Sequence, residues 1–339
     1  MTLTRPAPSP GRQSDGEEPR PRQGRQVGSP LVLTMVLLLV VAAQGPVRQA
    51  LSAPVMQSWT TVFVAVVVQA LPFLVLGVLL SAAIAVFVPA SFFARALPKR
   101  PALAVPVAGV AGAVLPGCEC ASVPVAGALV RRGVTPAAAL AFLLSAPAIN
   151  PIVLTATAVA FPRDPGMVLA RFVASLLVAC VMGWLWQRLG RAAWLRPPDR
   201  PAHEGVGRGA AFWGSVRHDV THAGGFLVLG AMTAATLKSV VPAGWLHAAA
   251  GNPVVSVLAL AVLAVLLSIC SEADAFVVAS LTEFSLTARL AFLVVGPMID
   301  LKLFAMQVGT FGRGFATRFA PATFILAILV SVLVGAVLL

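Results

Sequence analysis

Seven apolar runs partition the chain, at residues 31–43, 59–88, 136–161, 166–189, 219–241, 287–311 and 318–339. All but the first have the length a helix needs to cross hydrocarbon, roughly 20 residues. In lipid every backbone N–H and C=O must find its partner inside the protein, which leaves helices or closed barrels. Uninterrupted runs of this length select helices. The expected fold is therefore an all-α integral membrane protein with about seven to nine transmembrane helices.

The remaining composition follows from that choice. Only 11% of the 339 residues are charged, against roughly 25% in a soluble domain that must cover its surface. The 27 Pro and 28 Gly fall largely inside apolar runs, where membrane helices tolerate them. A net charge of +12 invites a nucleic-acid reading. A binder of that kind would cluster Arg on one face among polar and aromatic readout residues. Here the Arg lie in a tail and in short loops, so nucleic acid is excluded as a partner. Four Cys are too few and too deeply embedded for a disulfide scaffold.

Two regions, 102–130 and 253–281, are apolar but interrupted. The first is broken by Pro116-Gly117 and Pro124, the second by Cys270-Ser271-Glu272-Ala273-Asp274. The two halves of the chain also resemble each other. Phe73-Leu74-Val75-Leu76-Gly77 recurs as Phe226-Leu227-Val228-Leu229-Gly230, an offset of 153, and the break at Cys118 matches that at Cys270, an offset of 152. Pro147-Ala148-Ile149-Asn150 matches Pro297-Met298-Ile299-Asp300 at 150, and Arg171-Phe172 matches Arg318-Phe319 at 147. Collinear matches with shrinking offsets are the trace of a duplication with shortened loops. The expected organisation is a disordered basic tail (1–28), an extra N-terminal helix and loop (29–58), a first repeat (59–190), a linker (191–211) and a second repeat (212–339).

Loop charge orients the repeats. Five Arg in the tail, five Lys and Arg against one acid in 90–135, and six Arg in 187–218 place these regions, with the N-terminus, on the cytoplasmic side. Residues 242–286 have no Lys or Arg and three acids, and face outward. For Arg95 and Arg132 to share a side, the interrupted region 102–130 must cross an even number of times. The same holds for 253–281 from the other face. The repeats are thus expected to be inverted, each with a broken or re-entrant helix pair, with binding where the breaks meet near the midplane.

The breaks carry the chemistry. Cys118 and Cys120, at i and i+2, diverge on a regular helix but can converge in an unwound segment. With Cys270 from the other repeat they make three thiols, a set suited to a trivalent arsenical, Cu(I) or Zn. Glu119, Glu272 and Asp274 lie in the breaks, and carboxylates at membrane depth are functional candidates, Glu272 or Asp274 as proton carriers. Asn150 and Asp300 occupy equivalent positions, with Lys302 beside the latter. Pro116, Gly117, Pro124, Pro147, Pro151 and Pro297 are the expected helix breakers. Cys180, among Leu and Val, reads as apolar filler. No phosphate-binding loop, metalloprotease motif or nucleophile elbow is present, so neither an enzyme nor a cofactor is expected.

Leu115-Pro116-Gly117-Cys118-Glu119-Cys120-Ala121-Ser122-Val123-Pro124 and Phe142-Leu143-Leu144-Ser145-Ala146-Pro147-Ala148-Ile149-Asn150-Pro151 resemble the predicted-permease family that contains the organoarsenical efflux permease ArsP. So do Cys270-Ser271-Glu272-Ala273-Asp274-Ala275-Phe276 and Gly296-Pro297-Met298-Ile299-Asp300-Leu301-Lys302. The resemblance runs over roughly residues 55–339. It implies a plasma-membrane permease and, for its best-known members, export of trivalent methylated or aromatic arsenicals. Two other readings stand beside it: a carrier of another solute with carboxylate and amide ligands, and a scaffold subunit. The expected partners are the bilayer, a small solute or ion coupled to protons, and a second copy of the chain.

Overall fold

Proline and short polar side chains decide where the helices begin. Pro101, Pro136, Pro151 and Pro253 each occupy a first helical turn, where the missing N–H costs nothing. Asn150, Asn252, Ser285 and Asp300 each accept a hydrogen bond from a backbone N–H two or three residues on. The computed structural model describes residues 54–98, 100–115, 118–195, 207–240 and 251–339, all of them in the unit Pro54–Leu339. The tail, the run at 31–43 and the breakers Pro116 and Gly117 lie outside the described residues.

Every regular element among the described residues is helical. The first half of the unit comprises α1 (Pro54–Phe87), α2 (Ala90–Ala96), α3 (Pro101–Ala111), α4 (Glu119–Arg131), α5 (Pro136–Ile149), α6 (Pro151–Ala160) and α7 (Gly166–Leu189), the part of the chain expected to hold repeat 1. The second half, expected to hold repeat 2, comprises α8 (Arg208–Val240), α9 (Pro253–Leu267), α10 (Asp274–Ala279), α11 (Leu286–Met298), α12 (Leu301–Phe311) and α13 (Arg313–Leu338). Among the described residues six spans are long and apolar enough to cross a membrane, two of them formed by the consecutive pairs α5–α6 and α11–α12, and shorter apolar helices accompany them. Helix α8 begins at Arg208, so part of the Arg-rich stretch before residue 219 is helical as well.

Contacts at the helix ends fix the topology. Helices α1 and α8 run antiparallel: Phe87 meets Phe212 at one end, and the Trp59 indole donates to Thr236 Oγ1 (2.9 Å) at the other. Helix α3 starts where α7 ends, with Trp184 Nε1 donating to the Ala102 carbonyl (2.9 Å). Trp186 packs on Phe315, Phe315 on Phe311, and the neighbouring Thr310 abuts Gly127 of α4. The start of α3 and the end of α4 therefore share one face, so this segment enters the bundle and returns. On the opposite face Gly166 lies against Leu338, and Thr287 against Gly335. Helix α9 comes in after α8 has ended on that face, and α10 leads back to it. The two re-entrant segments thus approach from opposite faces, as expected of inverted repeats.

Pro124, Pro147 and Pro297 lie inside α4, α5 and α11 rather than at break points. The breaks fall at Asn150 and at Ile299–Asp300, where each polar side chain caps the next helix. Asn150 Oδ1 accepts from Val153 N (3.0 Å) and Asp300 Oδ1 from Leu303 N (2.6 Å). A cap ends one helix and starts another, whereas an internal proline in a packed bundle only bends its helix. Pro151 does sit at a break, at the start of α6.

Candidate functional site

The half-helices meet at a point closed to both faces. Cys118 (0% exposed) is the N-cap of α4 in an extended conformation, and Cys120 (0%) lies in the helix's first turn. The cap position lets two thiols at i and i+2 converge. Their sulfurs and a Glu119 carboxylate oxygen lie within 4.8 Å of one another. Cys270, buried at the break in the other half of the chain, comes to the same place beside Lys302, its Sγ 3.8 Å from that Nζ. All three thiols expected at the site are together and free of disulfides.

Lys302, in the first turn of α12 and fully enclosed, faces this cluster. Its Nζ lies 2.6 Å from Glu119 Oε1 and 3.4 Å from Asp300 Oδ2. The Glu119 contact is close but poorly directed, leaving that oxygen an ion-pair partner rather than a hydrogen-bond acceptor. Nζ donates instead to the Ser268 carbonyl (3.0 Å), with Cys270 Sγ at 3.8 Å. Ser268 caps α9 in the left-handed region (φ 47°), which costs a non-glycine residue about 1 kcal/mol. That turn aims the negative end of α9 at the ammonium, while the positive ends of α4 and α12 face the carboxylates. Two acids thus share one Lys.

A second ion pair crosses the repeats in the other direction. Arg171 of α7 (0% exposed) grips Asp274 of α10 bidentately, Nη1 to Oδ1 at 3.0 Å and Nη2 to Oδ2 at 2.7 Å. Nη1 also donates to Thr157 Oγ1 (2.8 Å) and Nη2 to the Ser271 carbonyl (3.3 Å). Glu119 of repeat 1 is thus neutralised by Lys302 of repeat 2, and Asp274 of repeat 2 by Arg171 of repeat 1.

The repeated Phe-Leu-Val-Leu-Gly segments hold these helices in place. A Cβ on Gly77 would sit 2.5 Å from the Ala121 Cα, beside Cys120, and one on Gly230 would sit 2.5 Å from the Lys302 Cα. Only glycine allows α1 and α8 to press backbone to backbone on the starts of α4 and α12.

The geometry brings together Cys118, Glu119, Cys120, Cys270, Asp300 and Lys302. It sets Asp274 apart, on Arg171. Glu272 is half-buried in the turn between α9 and α10, with no hydrogen-bond partner for Oε1. Asn150 is fully buried at the position equivalent to Asp300, where its amide also donates to Ala146 O (3.2 Å). Cys180 packs in a separate apolar patch with Val105, Ala137 and Ala141. His218 and His222 stack well inside α8, and His222 meets the Gly309 carbonyl at 3.0 Å. Arg171, Thr157 and Ser268 were not anticipated as site residues. A lone Arg inside an apolar run was the available signal for Arg171. Its apparent counterpart, Arg318, is exposed and lies over Trp194.

Residues 55–336 match the model of a family described as predicted permease. A UPF0718 protein of Bacillus subtilis, YcgR, is 36% identical over 278 residues, covering 80% of this chain and 94% of its own. A Streptococcus mutans protein named as a two-component membrane permease complex subunit is 31% identical over 282 residues, covering 81% and 94%. No solved structure matches.

Proposed function

The chain belongs to the predicted-permease family, and from that premise we propose that it exports a thiophilic small solute, such as a trivalent organoarsenical, across the cell membrane. The carrying observation is the burial of Cys118 and Cys120 beside Glu119, with Cys270 from the other half brought to the same Lys302 that contacts Glu119. Soft thiol donors favour soft centres, and ligands drawn from both repeats can be parted by rocking one repeat against the other. The Arg-rich face carrying Arg95, Arg132 and Arg188 is the cytoplasmic one in this reading, and the N-terminal tail shares it.

The test is resistance of a sensitive host to methyl and aryl trivalent arsenicals. Cys118→Ser with Cys120→Ser abolishes it, Cys270→Ser weakens it, and Cys180→Ala leaves it intact. Full resistance in the double variant, at normal membrane levels, removes the thiol-ligand reading. A second reading rests on the Lys302–Glu119 contact at 2.6 Å: a carrier of a different solute that uses Glu119, Asp300 and Lys302 as ligands, with the cysteines structural. Transport that survives the double Ser variant but not Asp300→Asn favours it. The Streptococcus mutans relative is named as a complex subunit, so a partner chain is a further proposal. Flux by the purified chain alone in liposomes argues against that requirement.

A further inference from the structure

An apolar cavity of about 520 Å³ lies on the side of repeat 1, between α1, α2, α3, α4 and α5, and every residue that lines it is apolar. Its volume falls in the ~300–1,000 Å³ range of small-molecule pockets. It offers no donor, acceptor or charge, so neither an ion nor a sugar-like solute gains anything there. Its rim residues Phe92, Val107 and Val114 are 57%, 43% and 81% exposed, so it opens sideways from the bundle. In a chain built to span a bilayer, that direction is lipid.

The cavity has a polarity along the membrane normal. Helix α2, seven residues between Pro89 and Pro98, turns Phe92, Phe93 and Ala96 to the cavity and leaves Arg95 exposed. Aromatics on one side and a cation on the other are the pattern of a helix lying in the interface. Leu129 and Val134 close the same end from the α4–α5 turn, which carries Arg132, and Arg100 caps α3 in an exposed position. None of Arg95, Arg100 and Arg132 has a salt bridge among the described residues, and Glu119, the sole acid in residues 90–135, is buried on Lys302.

We infer that this cavity is a binding site for an anionic phospholipid of the Arg-rich leaflet, with an acyl chain in the cavity and the phosphate held by Arg95, Arg100 and Arg132. Apolar walls account for the chain, and the three arginines at the interfacial end account for the headgroup. The cavity floor includes Leu115, three residues before Cys118. A seated chain therefore braces the segment that presents the thiols. This inference concerns the lipid and does not depend on the proposed solute.

The full chain is purified in mild detergent, and retained phospholipid is counted by native mass spectrometry and lipid extraction. Wild type keeps an anionic phospholipid through delipidation. Ala111→Trp, which fills the cavity, loses it. The triple variant Arg95→Gln, Arg100→Gln, Arg132→Gln still takes a chain but loses about a hundredfold of its preference for phosphatidylglycerol over phosphatidylcholine. Wild-type lipid content in Ala111→Trp, or an unchanged preference in the triple variant, overturns the site. Should Ala111→Trp fail to fold, a photoactivatable phosphatidylglycerol with a diazirine in its chain decides on the wild type. Adducts on residues 92–97 and 107–115 support the site, and adducts confined elsewhere overturn it. An aryl arsenical that displaces the probe without any lipid preference assigns the cavity to the solute and also overturns it.

Discussion

Removing either partner of the Arg171–Asp274 pair should be costly, but by unequal and differently pH-dependent amounts. Asp274→Ala strands a guanidinium that is 0% exposed, deprived of two of its four hydrogen bonds and unable to lose its proton. Breaking a buried pair in this way costs about 3–5 kcal/mol. Arg171→Ala strands a carboxylate instead, and a carboxylate can take up a proton. Starting from an ordinary value near 3.9, neutralising it at pH 7 costs at most about 4 kcal/mol, and each unit of acidification lowers that cost by about 1.4 kcal/mol. In Arg171→Ala the folded state binds a proton that the unfolded state does not, so stability rises as pH falls. Asp274 also opens α10, where the helix end tempers the stranded charge. The double replacement Arg171→Met with Asp274→Leu removes both charges and should fall within about 1–2 kcal/mol of wild type. The assay is denaturant or thermal unfolding in bicelles, followed by the fluorescence of the six Trp, between about pH 5.5 and 7.5. If the costs of Arg171→Met and Asp274→Leu, measured singly, add up in that double variant to within about 0.5 kcal/mol, the coupling is refuted. A pH-independent Arg171→Ala refutes the stranded carboxylate.

Three further outcomes follow from the same contacts. Gly77→Ala and Gly230→Ala each place a Cβ 2.5 Å from a backbone Cα and should destabilise by about 1–3 kcal/mol, while Gly225→Ala, which meets open space, changes unfolding by less than about 0.5 kcal/mol. Asn150→Ala and Asp300→Ala both delete a cap and should cost about 0.5–2 kcal/mol in the same unfolding assay. Asp300→Asn should keep most of the cap while changing transport. Lys302→Met leaves Glu119 and Asp300 without their shared cation and should destabilise by several kcal/mol, about 3–5 by analogy with other broken buried pairs. Adding Glu119→Gln should recover part of that loss, and no recovery would separate Glu119 from the pair.

Much of the scaffold was legible because lipid makes few demands and makes them strictly. Length and hydropathy sufficed for the six long spans, and the repeat offsets with the loop arginines anticipated re-entrant segments of opposite orientation. The thiols were legible for a related reason. Cys118 and Cys120 adjoin a Pro-Gly pair, which signals that the helix ends there. Three of the expected breakers, Pro124, Pro147 and Pro297, lie inside helices, while the breaks near the latter two are made by Asn150 and Asp300. Capping is satisfied three residues into the next helix, and a three-residue signal is easily masked by a conspicuous neighbour. Partner choice was least legible. Nothing local distinguishes Lys302, which reaches Glu119, from Arg318, which reaches the surface, because the distances that matter span 183 and 103 residues of sequence for the two ion pairs.

The crossing of those pairs bears on why the halves stay joined. Taken alone, residues 54–189 would bury Glu119 without Lys302 and Arg171 without Asp274. Residues 208–339 would bury Asp274 without Arg171, and Lys302 would keep one carboxylate, Asp300 at 3.4 Å, in place of two. Each half is apolar enough to enter a membrane, and in lipid the hydrophobic effect gives the halves little reason to associate. The attraction must come from packing and from polar contacts that are expensive to leave unmade. Two reciprocal ion pairs and a thiol cluster drawn from both repeats supply it at the point where the half-helices end. The same contacts would have to loosen for either face to open. The forces that assemble the repeats are therefore the ones against which any exchange between faces must work.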